Sequence, residues 1–315
     1  MKIKRERRIG LIALALVLML MVLTASGIKP SVTEGQAGTP MLQPGEVPEP
    51  ERTLEDVDSS LKAKENRVLT GDTFTKNLFE RPFTSRDMIY QPDVNIRIVF
   101  LASDDNFIYF TIELQGLDPV SQSLTATYGI EFDRTKTGRG DLLVWVHDLK
   151  KDWSMDNLKV FSDPDKSVGG PSPMLADEGY TGNGYESEVK LEGDKVAYAR
   201  LAPDDPTQVQ IAVSRLLLDN PKEFLWGAWA DKGIRDPMRF DYDDHFGLTA
   251  AGSPIKSDKV YPIKDLFSLD NTCRLPFGFT TKIKIRGMCD NVLACKSVTT
   301  CDPQTARCTT KTVCK

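Results

Sequence analysis

Between residues 94 and 231 the chain reads as short apolar or alternating runs, cut repeatedly by Asp, Asn, Gly and Pro. This pattern constrains the fold more than any other feature, because period-two runs bounded by turn formers specify strands rather than a helical bundle. VNIRIVFLA (94–102) puts Val94, Ile96, Ile98 and Phe100 on one face. FIYFTIELQG (107–116) sets Phe107, Tyr109 and Thr111 opposite Ile108, Phe110, Ile112 and Leu114. The residues between them, Ser103-Asp104-Asp105-Asn106, have hairpin-turn chemistry. Further strands are predicted at 123–133, 141–148, 158–163, 184–191, 195–202, 207–218 and 223–231. No repeat of roughly 20–50 residues is visible, which argues against a propeller or solenoid. The expected fold is mainly β, a two-sheet antiparallel, jelly-roll-like β-sandwich.

The ends are of a different kind. KIKRERR is followed by an uncharged apolar run from Ile9 to Ala25 and then by the small residues Ala25-Ser26-Gly27. Residues 1–27 therefore read either as a cleaved signal peptide or as an uncleaved membrane anchor with its basic end in the cytoplasm. Both readings make the body extracytoplasmic, secreted or anchored to the cytoplasmic membrane. Residues 28–66 form a Pro/Gly-rich tether, too poor in apolar groups to order itself. It closes in a short amphipathic helix predicted over 53–67, with Leu54, Val57 and Leu61 at helical spacing. The sandwich is expected over 67–270, with the turn-rich stretch 235–269 wrapped over one end, and a cysteine-rich tail over 271–315. All six cysteines lie in that last part: Cys273, Cys289, Cys295, Cys301, Cys308 and Cys314. In an exported chain they read as up to three disulfides of undetermined pairing, and the lack of any C-x-x-C disfavours zinc and thioredoxin-like redox chemistry.

Charge is distributed unevenly. Within the formal −5, residues 2–8 carry +4 and residues 271–315 carry +6, leaving about −15 on the stretch between. An acidic body with a basic tail disfavours nucleic acid as a partner and suits cations or a cationic surface.

The stretch EFDRTKTGRGDLLVWV (131–146) carries the most chemistry. Asp133, Thr135, Thr137, Gly138 and Asp141 fit positions 1, 3, 5, 6 and 9 of a calcium loop, in which alternate oxygens face a hard cation and Gly allows the reversal. The pattern lacks the closing Glu and is flanked by strands, so the alternatives are a structural calcium loop and a hydrogen-bonded hairpin. Asp163 and Asp165, ahead of a glycine pair, form a second acidic turn, and Asp241, Asp243 and Asp244 a third beside His245. Arg139-Gly140-Asp141 matches the adhesion tripeptide in letters only.

No catalytic motif is present, and the only histidines are His147, predicted to be packed or hydrogen-bonded, and His245. The expectation is a protein that is not an enzyme. Trp145 and Trp226 sit in apolar strands and are expected in the core, whereas Trp153, Tyr180 and Tyr185 are the candidates for exposed sugar-binding faces.

FERPFTSRDMIYQPDVNIR (79–97), DDNFIYFTIEL (104–114), YGIEFDRTKTGRGDLLVW (128–145), AGSP (251–254) and LDNTCR (269–274) resemble exported bacterial proteins of unknown function. Their central part is similar to the DOMON and family-9 carbohydrate-binding-module type of β-sandwich. There, a Y-x-P-D opening precedes two hairpin strands and an acidic D-x-x-x-x-G-x-G-D turn follows the third. The likeness covers roughly residues 74–275. It implies sugar or haem binding, often with structural calcium. Haem ranks lower because only His147 and His245 could ligate it, and Thr135 and Thr137 stand where more acids are the rule. The expected function is thus non-catalytic binding of an extracytoplasmic glycan on a calcium-stabilised sandwich. The alternatives are a cell-envelope interaction protein acting through the cysteine tail and, third, a glycan-active enzyme.

Overall fold

The turn at Asp104 shows how local chemistry sets the architecture. Its Oδ1 accepts from the N–H groups of Asn106 and Phe107, each at 2.7 Å, and its Oδ2 accepts from the Tyr109 hydroxyl at 2.7 Å. That cap fixes the register of the hairpin formed by β3 (Ile96–Ser103) and β4 (Phe107–Leu114), pairing Ala102 with Tyr109 and Ser103 with Ile108. The computed structural model describes residues 41–69, 71–73, 78–166, 168, 184–240, 246, 248–256 and 261–290, and the backbone of 295–301 and 308–314.

Two antiparallel sheets dominate the described residues. The first has five strands in the order β1 (Arg52–Glu55), β3, β4, β10 (Gln208–Ser214), β9 (Ala197–Leu201). The second runs β2 (Glu80–Arg81), β12 (Leu269–Asn271), β11 (Phe224–Asp231), β5 (Thr127–Asp133), β6 (Leu142–Val146), β7 (Leu158–Ser162), β8 (Ser187–Glu188), with β13 (Leu275–Phe277) also on β11. A separate hairpin joins β14 (Cys295–Cys301) to β15 (Cys308–Cys314). Every strand predicted from period two between 94 and 231 has a counterpart, most of them trimmed at their polar ends.

The main core draws on both sheets. Phe110 of β4 lies 5.2 Å from the Trp226 ring of β11 and 5.6 Å from that of Phe132 in β5. The opposite faces are covered too, so β4 and β11 are apolar at almost every position and not merely alternating. On the first sheet Phe107, Tyr109, Tyr198 and Ala212 pack under Leu42, Val47 and Trp153. On the second, Leu143, Trp145 and Trp229 pack under Phe240, Phe246, Ala251 and Leu266, with the Phe240 ring 4.7 Å from Trp229 and 5.0 Å from Trp145. Each such aromatic or aliphatic burial contributes about 1.5–3 kcal/mol. The described residues of the turn-rich stretch 235–269, Phe240, Phe246, Ala251 and Leu266 among them, therefore cover a sheet face rather than an end of the fold.

Two N-terminal expectations are corrected. The predicted helix over 53–67 is strand β1 followed by a 3-10 helix, Ser59–Glu65, capped by Asp58. Leu54 pairs with Val99 in the sheet, while Leu61 is 66% exposed, so the apolar spacing was not one face of a helix. Of the expected tether, residues 41–51 lie on the body: Gln43 donates to the Tyr198 hydroxyl at 2.9 Å and Glu51 N–H to Leu101 O at 2.8 Å. No helix among the described residues is long and apolar enough to cross a membrane, and the run 9–25 lies outside them.

Candidate metal and ionic centres

The loop from Asp133 to Asp141 joins β5 to β6, and its carboxylates face N–H donors. Buried Asp133 accepts from Gly138 N–H (2.7 Å), Thr137 N–H (3.2 Å) and the Thr135 hydroxyl (3.1 Å). Asp141 accepts from the Arg134 N–H and Nε, both at 2.6 Å, and from Thr135 N–H at 3.3 Å. Such Asx-type capping is what a polar hairpin needs. Gly138 holds φ +86°, a conformation natural to glycine.

Beneath the loop lies a buried ionic network that the sequence did not announce. Arg274 donates from Nε and Nη2 to Glu131 Oε2, at 2.8 and 2.7 Å, and from Nη1 to Gly138 O at 2.7 Å. The Tyr185 hydroxyl donates to Glu131 Oε1 at 2.6 Å. Burial, then the Glu131 charge, pushes the Tyr185 hydroxyl pKa well up. Burial alone would lower that of Arg274, but Glu131, Tyr185 and Asp133 hold it above its ordinary value. Asp133 is raised by burial against the opposing pull of Arg274 and the Gly138 N–H. The Cys273–Cys289 disulfide fixes the backbone beside Arg274, which also exchanges hydrogen bonds with Gly287 O (2.8 Å) and Cys289 N–H (3.1 Å).

Tyr185 is thus corrected as a sugar-facing residue: it is fully buried, because its hydroxyl completes this network. Trp153 is half-buried, with the Arg200 guanidinium 4.3 Å over its ring and its Nε1–H bonded to Gly45 O at 3.0 Å. Tyr180 lies outside the described residues, as do Asp241, Asp243, Asp244 and His245. Trp145, Trp226 and Trp229 are in the core. His147 is exposed and its Nδ1 bonds Asp148 Oδ2 at 2.9 Å.

Asp163 and Asp165 meet a third acid, Glu186, such that one oxygen of each lies within 4.8 Å of the others. Glu186 Oε2 is buried with no hydrogen-bond partner, and burial followed by the Asp165 charge raises the Glu186 pKa. Asp163 Oδ2 accepts from Val168 N–H at 3.1 Å.

A second acidic group is built from residues far apart in sequence. Glu80 in β2 and Asp270 in β12 are direct cross-strand partners, and Asp56 follows β1. One oxygen from each of the three again lies within 4.8 Å of the others. Glu80 Oε2 accepts from the Ser59 hydroxyl at 3.1 Å and Asp270 Oδ2 from Ile96 N–H at 2.7 Å. Asp270 Oδ1 and Asp56 Oδ2 are buried without a partner. Burial, then the charges of Asp270 and Asp56, drives the Glu80 pKa well up. Burial likewise raises Asp270 far and Asp56 to about 7. The nearby Arg81 is turned elsewhere, to Asp72 (3.0 Å) and the carbonyls of Ala251, Leu266 and Gly252.

A cleft of about 540 Å³ opens at the disulfide loop, between Gly71, Thr73 and Leu78 on one side and Lys284, Ile285, Arg286 and Met288 on the other. The cysteines of the tail hairpin occupy facing register positions, Cys295 with Cys314 and Cys301 with Cys308.

No family model matches the chain, no curated protein matches it, and no solved structure matches its fold.

Proposed function

We propose that this is an exported, non-catalytic binding protein whose body is a two-sheet sandwich of the DOMON or family-9 carbohydrate-binding kind, and that its ligand is an anionic extracytoplasmic glycan. The cleft at the disulfide loop supports the reading best. Its volume suits a small ligand or a few sugar units, and its lining combines aliphatic groups with Lys284, Arg286 and a single acid, Asp290. Residues 271–290 carry four bases and one acid; Arg274 is paired with buried Glu131 and Lys284 with Asp290, and the positive charge that remains favours an acidic ligand. Of the aromatic faces first expected to bind sugar, Trp153 is covered by Arg200 and Tyr185 is buried, which moves the candidate site to this loop. Calcium enters the same reading as a structural ion held by Asp163, Asp165 and Glu186, three oxygens in the compact arrangement a hard cation uses.

Binding of the full chain to polygalacturonate and to neutral dextran, with and without the double change K284E/R286E, tests the proposal. Retention on the anionic polymer alone, lost in the variant, is the expected result. Equal binding to both polymers would sink it. Binding that survives the double change but disappears when residues 291–315 are removed would transfer the activity to the tail.

A further inference from the structure

The cluster at Asp56, Glu80 and Asp270 poses a charge problem that its surroundings do not solve. Glu80 and Asp270 are directly opposed in an antiparallel pair, so their side chains share one face a few ångströms apart. Both are buried, at 3% and 0% exposure, and Asp56 joins them from the end of β1. Among the described residues no Lys, Arg or His forms an ion pair with any of the three. Gly71 seals one side so closely that a β-carbon there would collide with the Glu80 side chain. Three carboxylates without a counter-charge in such an interior carry a desolvation cost that nothing beside them offsets.

The unpartnered oxygens point to the missing component. Asp270, wholly buried, has an Oδ1 without any donor, and Asp56 Oδ2 is also buried and donorless. Two neutral oxygens nearby in the chain share that state: Thr73 Oγ1, beside the Asp72 that accepts from Glu80 N–H, and Asn95 Oδ1, beside the Ile96 that donates to Asp270. The Thr73 hydroxyl can also donate, but the leftover oxygens of Asp56, Asp270 and Asn95 only accept, and a cation is a partner that such acceptors can share. Calcium takes oxygens at about 2.3–2.6 Å, so its ligands lie no more than about 5 Å apart. The mutual limit of 4.8 Å among the three carboxylates meets that bound. Magnesium, with oxygens at about 2.0–2.1 Å, demands a tighter set, and zinc prefers nitrogen and sulfur.

We propose that Asp56, Glu80 and Asp270 form a second, interior calcium site that clamps the N-terminal edge strand β1 to the β2–β12 edge of the other sheet. The site is independent of the glycan reading and of the Asp163–Asp165–Glu186 group. It makes docking of residues 41–56 calcium-dependent.

The full chain, stripped with EDTA and dialysed against calcium, is examined by native mass spectrometry and thermal unfolding, beside D270N, D56N and E186Q. Two bound calcium ions are expected in the parent, falling by one in D270N and in D56N, with E186Q keeping the interior ion. Proteolysis after stripping should cut first within 41–56. D56N guards against a misfolded D270N, since Asp56 is only half-buried. A D56N protein with an undiminished calcium content would overturn the site. So would a parent that takes up no calcium while D270N melts higher at pH 7, because protons shared among the acids would then account for the cluster.

Discussion

Gly140 sits directly against the Tyr185 hydroxyl: a β-carbon there would collide with Tyr185 Oη and with Glu131 Oε1. The glycine of the apparent adhesion tripeptide is thus a packing requirement of a buried hydrogen bond. Gly140→Ala should push Tyr185 away from Glu131 and cost about 1–3 kcal/mol, the usual range for overpacking a filled interior. Tyr185→Phe keeps the ring but leaves Glu131 Oε1 without its donor, at a similar cost. Urea unfolding of both variants checks this, and the double variant should cost less than the two combined because one bond underlies both losses.

Arg274 and Glu131 form a buried pair whose separation leaves an unbalanced charge. Arg274→Met should destabilise by about 3–5 kcal/mol, whereas Glu131→Gln with Arg274→Met should recover a large part of it. Reducing the Cys273–Cys289 bond frees the backbone that presents Arg274. Closing a loop of this length is worth about 3 kcal/mol by itself. Denaturation with and without reductant, in parent and Arg274→Met, should show a smaller effect of reductant in the variant.

The carboxylates of the loop are occupied by N–H groups, and this predicts a metal-independent role. Asp133→Asn should lower the melting temperature by the same amount in EDTA and in millimolar calcium, since the lost acceptor served Gly138 and Thr137. A deficit that appears only in calcium would return this loop to the role of a cation site.

Asp231 gives the pH dependence. Its carboxylate caps the N–H groups of Gly233, Ile234 and Arg235, yet burial raises its pKa from 3.8 to about 6. The folded state then holds a proton that the unfolded state releases earlier. The group's contribution to stability therefore falls as pH rises from about 4 to 6 and stays at its lower value above that. The shift corresponds to roughly 3 kcal/mol. The cost of Asp231→Asn should shrink by about that amount between pH 4 and pH 7, read from denaturation at the two values.

Much of the β framework was legible because strand signals are local. Turn acids such as Asp104 stand next to the residues they cap, and β4 and β11 carry their burial in their own composition. The ionic centres were not legible for the opposite reason. Glu80 and Asp270, or Glu131 and Arg274, are neighbours only after the sheets have formed, and as letters they are ordinary. The weak signal available was an acid set inside an apolar motif, as in FERPF and LDN. Tyr185 was misjudged because its glycine-rich surroundings resembled an exposed loop, although its hydroxyl had a buried carboxylate to reach. Leu54, Val57 and Leu61 mimic a helical stripe because three positions are too few to distinguish a strand followed by a tight turn.

The seating of residues 41–56 on the body has a practical consequence for where the chain can be cut. A fragment trimmed to 67–270, the borders suggested by composition, would lack at one end edge strand β1, Leu54 of the core, and Leu42 and Val47, which cover the first sheet beside Trp153. At the other it would lose β13, Arg274 and the disulfide. Such a piece would expose the β3 edge and leave Glu131 unneutralised in the interior, inviting aggregation at the bench. The segments that complete the core and its ionic network reach from 41 to 290, and assays on a piece lacking them would report on a different molecule.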